Sequence, residues 1–268
     1  MQAACIGGVR TALAAAAALF GLIVGGCGGG GASTPPPDPG APTLAQMNTF
    51  QTTGAAFAVN SSVQFKNATK AGNMIWVAAT LSDFAGAHTI SVTDTQGNVY
   101  TLLDQENDGV PGTQTVAHFY AANIVGDTTT PDTVTVVWSN DNYKGILITE
   151  ISGTTAAPLV GHAAKIQDGL TGGSDNVASG AVNVPTAKTP ALLVALSMNT
   201  SGGASDTGGS GAGGPAAGSG MTQVAMLWNW GTNLATFATS SVTSAESVTS
   251  LFSAPHLDSY VTVAAVFH

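Results

Sequence analysis

Met74-Ile75-Trp76-Val77-Ala78-Ala79 is a nearly continuous apolar run. Downstream, His88-Thr89-Ile90-Ser91-Val92-Thr93 and Val99-Tyr100-Thr101-Leu102 flank Asp94-Thr95-Gln96-Gly97-Asn98. The first segment reads as a buried strand. The other two read as strands joined by a turn whose residues tolerate positive φ. Just upstream, Val63-Gln64-Phe65-Lys66 alternates apolar and polar, as a strand with one buried face does. Further strands follow at 116–122, 133–138, 145–151, 191–197, 221–228, 235–240 and 260–267. Thr, Val and Ile dominate them, and their β-branched side chains suit a pleated surface. No window beyond residue 50 carries a sustained 3.6-residue period. Ten or more short strands with frequent turns predict an all-β fold, a two-sheet antiparallel β-sandwich of jelly-roll-like character. Parallel α/β folds are excluded, because nothing supplies the crossover helices.

The N-terminal region has a different character. Arg10 precedes a 14-residue apolar run from Thr11 to Val24. That is too short to span a hydrocarbon core of about 30 Å but suits the apolar region of a signal peptide. Val24-Gly25-Gly26-Cys27 ends the run and resembles the lipobox of bacterial lipoproteins, in which the Cys is diacylated and becomes the first residue after cleavage. Val24 stands where Leu is commoner. The resemblance implies a lipoprotein signal peptide over 1–26, lipidation with palmitate at Cys27 and a membrane contact through that lipid. Residues 27–49 then form a tether, Gly28-Gly29-Gly30-Gly31 being flexible and Pro35-Pro36-Pro37-Asp38-Pro39 stiff. Gly28, where enteric retention signals have Asp, points to the outer membrane of a bacterial cell envelope.

The two cysteines are Cys5 and Cys27. The part from residue 50 onward therefore has no thiol for a disulfide, a Cys-ligated zinc or thiol catalysis. Charge sets a further limit. With 6 Lys+Arg against 15 Asp+Glu, the chain carries a net charge of -9 and no basic stripe, which excludes nucleic acid as a partner. Residues 50–268 are read as a single β-sandwich domain without an internal repeat. Its interruption at 201–220, where nine of twenty residues are Gly, is read as a long, unpacked surface loop.

The order of segments also resembles a β-sandwich module of bacterial secreted, surface and phage-associated proteins. The resemblance rests on the strand with Trp76, on Ile90 to Tyr100, on Ala117-His118-Phe119-Tyr120-Ala121-Ala122-Asn123-Ile124, on the run ending at Trp138, and on Ile148-Thr149-Glu150-Ile151-Ser152-Gly153. It covers roughly 55–268 and implies a jelly-roll-like fold without catalytic residues to carry over. Glu150, Ser152 and Gly153 fit a strand-end turn as well as they fit chemistry.

Candidate chemistry is sparse. No serine sits in a Gly-x-Ser-x-Gly elbow, and Ser210 and Ser219 lie in the glycine tract. His88 and His118 fall within strands and read as half-exposed packing residues. His162, His256 and His268 lack metal spacing, so no resident cofactor is expected. Calcium is the metal with some support. Asp104, Glu106 and Asp108 place three carboxylates at alternate positions before Gly109, as at the start of a calcium loop, although Thr115 stands where the loop's closing Glu would be. An acidic hairpin loop explains the same residues. Glycan binding is suggested by Trp228, Asn229 and Trp230, with two indoles on one side of a strand end and an amide between them. Asp141, Asn142 and Tyr143 form a similar polar–aromatic group. Core positions for Trp76, Trp138 and Trp228, with Trp230 capping the sandwich edge, explain the same tryptophans.

The expectation is a lipid-anchored, non-enzymatic envelope module for binding or adhesion to a glycan or a surface protein. The alternative is a carbohydrate-active or other hydrolytic enzyme using paired carboxylates in a cleft, with Asp83, Glu150 and Glu246 as the acids outside obvious turns.

Overall fold

The computed structural model describes residues 40–52, 58–83, 88–108, 113–139, 143–170, 173–200, 214–229, 233–254 and 258–268. Cys27 and the whole of 1–39 lie outside them, as do residues 201–213. The first eight strands are β1 (Thr43–Gln51), β2 (Asn60–Gln64), β3 (Met74–Asp83), β4 (Ile90–Asp94), β5 (Thr101–Asp108), β6 (Thr113–Ala121), β7 (Thr133–Trp138) and β8 (Tyr143–Ser152). The next eight are β9 (Leu159–Leu170), β10 (Gly173–Val184), β11 (Ala191–Asn199), β12 (Ala216–Ala217), β13 (Thr222–Asn229), β14 (Asn233–Val242), β15 (Glu246–Ala254) and β16 (Asp258–Phe267). Every strand pairing is antiparallel.

These strands form four sheets, two more than the sequence suggests. The first eight make a five-stranded sheet, β1-β8-β3-β6-β5, and a three-stranded sheet, β2-β7-β4. The last eight make β9-β16-β11-β14-β13 and β10-β15-β12, so adding eight to each strand of the first half gives the second. Each half is a jelly roll whose fifth strand pairs with the sixth in the larger sheet. The chain is thus a tandem of two sandwiches with one topology, although no internal repeat is legible in its residues.

Three apolar layers hold the stack together. Val63, Phe65, Ile75, Val77, Phe119, Val134 and Ile148 fill the first sandwich. Val177, Leu193, Phe252, Tyr260 and Val266 fill the second. Between the halves, the two five-stranded sheets pack face to face through Met74, Trp76, Val116 and Leu147 from one side and Val194, Leu196, Phe237 and Val263 from the other. Trp76 stacks on Phe237 across this joint, centroids 5.4 Å apart. Both large sheets are therefore covered on two faces. That is why β8 and β11 are buried almost throughout, polar residues such as Lys144, Thr149, Glu150 and Ser197 included. The outer strands β2 and β7 alternate instead. Trp76 and Trp138 are core residues, as expected.

Several boundaries differ from the sequence reading. β1 begins at Thr43, inside the stretch assigned to the tether, because Thr43 to Gln51 pairs along β8. β9, β10 and β15 are rich in Gly, Ala, Ser and polar residues with weak strand preference. Pairing with stronger neighbours, such as β16 for β9, holds them extended. The glycine tract is packed at its C-terminal end. Ala216 and Ala217 pair with β15, and Asp175 Oδ1 accepts a 2.7 Å hydrogen bond from the Ser219 N–H. A Cβ on Gly218 would fall 2.9 Å from the Leu251 backbone, so this residue is there for close approach.

Candidate functional site

The polar residues with the most developed geometry meet at one edge of the joint between the two jelly rolls. Asp104 on β5 lies opposite His118 on the neighbouring β6. Strand alternation turns both toward the second half, on the same face as Val116. From that half, β9 brings up His162. Asp104 Oδ2 lies 2.9 Å from His118 Nε2 and 2.7 Å from His162 Nδ1. The indole of Trp76 on β3 completes the chain, its Nε1–H donating to His118 Nδ1 at 3.2 Å.

This order determines where the protons sit. An indole N–H can only donate, so His118 Nδ1 accepts. In a neutral ring the proton is then on Nε2, where it donates to Asp104. Burial pushes the His118 pKa below the ordinary histidine value, against the upward pull of Asp104, and favours that neutral ring. Burial would raise the Asp104 carboxyl, but the hydrogen bonds from His118 and His162 outweigh it and hold it below its usual range. Glu106, two residues along β5, is shifted upward by burial and by the charge on Asp104. His162 donates from Nδ1 and leaves Nε2 on a side chain that is 36% exposed.

The residues proposed for calcium are thus on a strand rather than in a loop. Asp104 faces two histidines, and Asp108 is buried with the Thr200 hydroxyl donating to its Oδ2. Strand alternation itself produced the spacing that resembled a calcium loop. His118 is fully buried, not half-exposed, and His88 is buried too.

Other acids have structural partners. Glu150, 3% exposed, accepts from the Lys70 N–H at 2.8 Å, from Asn73 Nδ2 at 2.6 Å and from Gln46 Nε2 at 2.6 Å, which ties the 67–73 loop to β8. Asp94 accepts from the Gln96 and Asn98 N–H groups, from Asn98 Nδ2 and from the Tyr100 hydroxyl, closing the turn before β5. Glu246 starts β15, in a different sandwich from Glu150. Asp83 ends β3, and its side chain is outside the described residues.

Of the residues proposed for glycan binding, Trp228 and Asn229 end β13, but their side chains are not among the described ones. Trp230, Asp141 and Asn142 lie outside the described residues altogether. Tyr143 opens β8, partly buried. His256 and Ser210 are likewise outside, and the backbone of His268 pins the connector between the halves through Thr155 and Pro158.

The loop end of the first jelly roll is the other developed surface. Asn98 Oδ1 accepts the Val125 N–H at 2.8 Å, joining two loops that expose Val99 (84%) and Val125 (63%). Beside them runs an open groove of about 690 Å³ between 68–71 and 125–128. Gly126, at φ +66°, packs so closely on Ala71 that a Cβ would overlap its backbone.

Sequence spacing gave no signal for the Asp104–His118–His162 cluster, since its members come from three strands and two half-domains. Comparison with protein-family models, curated proteins and solved structures finds no match for the chain.

Proposed function

We propose that this chain is a lipid-anchored module of the bacterial cell envelope whose role is binding or adhesion, with a glycan as the first ligand class and a surface protein as the second. The observation that supports it is the loop end of the first jelly roll. Asp94 stiffens the loop that exposes Val99, Asn98 ties it to the loop that exposes Val125, and Glu150 braces the 67–73 loop that walls the open groove beside them. A monomer gains nothing from two valines held in water, whereas a preorganised rim lowers the ordering cost of a contact. Methyl groups beside the Lys70, Asp127 and Thr128 side chains suit the mixed apolar and hydroxyl faces of a sugar. The hydrolase alternative loses support from Glu150, whose carboxylate is occupied by three donors.

Anchoring rests on the lipobox-like Val24-Gly25-Gly26-Cys27. Cys27→Ser should abolish palmitate labelling and release the chain from the membrane fraction; unchanged labelling overturns the anchor. For binding, the full chain in detergent is applied to a glycan array. Retention that falls at least tenfold in Val125→Asp supports the loop end. Turnover of an arrayed glycan would replace this reading with the hydrolase.

A further inference from the structure

We propose that Asp104, His118 and His162 form a site for a divalent transition metal of the zinc class, at the edge where β5 of one jelly roll meets β9 of the other. The donor set is two imidazole nitrogens and one carboxylate oxygen, and the three ligand atoms all lie within 4.8 Å of one another. That combination favours Zn(II), Co(II) or Ni(II) over the all-oxygen surroundings of calcium or magnesium. Ligands on one tetrahedral ion with bonds near 2.0–2.1 Å stand ~3.3 Å apart. The 2.9 and 2.7 Å separations from Asp104 Oδ2 therefore need to open by only about half an ångström. Hydrogen bonds to Asp104 Oδ2 hold the same atoms together.

Placement supports the site as well as donor type. Asp104 and His118 are opposite one another on paired strands, so backbone register sets their spacing. His118 is sealed in the joint with no exposed surface, while His162 is 36% exposed. The exposed side of His162 gives an ion a route in. The third ligand comes from the other half of the chain, so the ion would fasten the two jelly rolls.

Trp76 opposes the ion, and this makes the proposal sharper. Coordination through His118 Nε2 requires the ring proton on Nδ1, where the indole N–H now points. Removing that N–H should therefore tighten metal binding.

The test uses the full chain, stripped with chelator and titrated with Co(II) as a coloured substitute for zinc and then with Zn(II). The expected result is one equivalent bound, visible absorption of four- or five-coordinate Co(II) that Zn(II) abolishes, and a rise in Tm with Zn(II). His162→Ala, on an exposed edge strand, and Asp104→Asn should each weaken binding at least 100-fold while the circular dichroism spectrum stays that of the parent. Trp76→Phe should tighten it about fivefold, one neutral hydrogen bond no longer resisting. Three results overturn the site: no binding up to millimolar metal, binding that survives both ligand variants, or a Trp76→Phe affinity equal to or weaker than that of the parent.

Discussion

Glu150→Gln and Glu150→Ala separate a structural carboxylate from a catalytic one. Glu150 Oε1 takes the Lys70 N–H and Asn73 Nδ2, and Oε2 takes Gln46 Nε2. Each is a hydrogen bond to a charged acceptor, worth ~1.5–3 kcal/mol when buried. Alanine removes the acceptor for all three donors. Neighbouring bonds are not additive, and water enters part of the gap, so the expected loss is about 3–5 kcal/mol rather than the full sum. Glutamine keeps one oxygen for Lys70 and Asn73 but turns an N–H toward Gln46. Gln46 cannot simply flip to accept it, because its amide already pairs both ways with the Asn67 backbone, at 3.1 Å in each direction. One donor pair is therefore left facing, and two charged bonds become neutral, for a cost of about 2–3 kcal/mol. Urea unfolding followed by tryptophan fluorescence reads both values through the midpoint, with the slope checked for constancy. If either variant lies within about 0.5 kcal/mol of the parent, the carboxylate is not holding the loop and the argument fails.

Two further outcomes follow from other closely packed groups. Asp132 has no exposed surface, and its Oδ1 accepts from the Thr95 N–H and hydroxyl. Burial and the neighbouring Asp94 raise its pKa above the usual carboxylate range despite Thr95. A raised folded pKa contributes stability that is full below the unfolded value near 4 and fades as pH climbs through the folded one. Asp132→Asn, neutral throughout, should therefore match the parent at pH 4 and exceed its Tm increasingly toward pH 7; parallel Tm–pH curves would refute this. Gly218→Ala should cost about 1–3 kcal/mol, since its Cβ meets the Leu251 backbone and the Asp175 carboxylate. An unchanged urea midpoint would show that the end of the glycine tract is as unpacked as its composition suggests.

The strands most legible in the sequence are those whose surroundings leave a pattern in the residues. Met74 to Ala79 and Ala191 to Leu196 read as unbroken apolar runs because sheets cover both of their faces. Residues 159–170 carry no such pattern: β9 is an edge strand with most positions half-buried, so neither alternation nor a continuous run develops. The number of sheets was hidden for a related reason. A doubly covered antiparallel strand looks the same whether its second cover is a sheet of its own sandwich or of another. The cluster was illegible because its pairing is purely tertiary. Asp104 and His118 sit at inward positions of adjacent strands, but nothing local distinguishes an inward His from an outward one until the register is known.

The duplicated topology supplies its own comparison for that cluster. Strand equivalence maps β5 onto β13 and β9 onto β1, and the joint is closed at one edge by β5 against β9 and at the other by β13 against β1. At the second edge the work is done by Leu44, Met47, Val224 and Leu227, all packed into the shared apolar layer. The first edge has apolar side chains in the same layer too, Leu103 on β5 and Leu159 and Ile166 on β9. At that edge the chain also inserts a fully buried imidazole and a carboxylate, which must be matched by Trp76 and His162 to avoid an unpaired charge in the joint. A polar network of this kind seldom stabilises more than well-packed apolar side chains of similar volume. Stability alone gives no reason to prefer it. The buried cluster at this edge therefore calls for a role other than stability, such as holding a ligand.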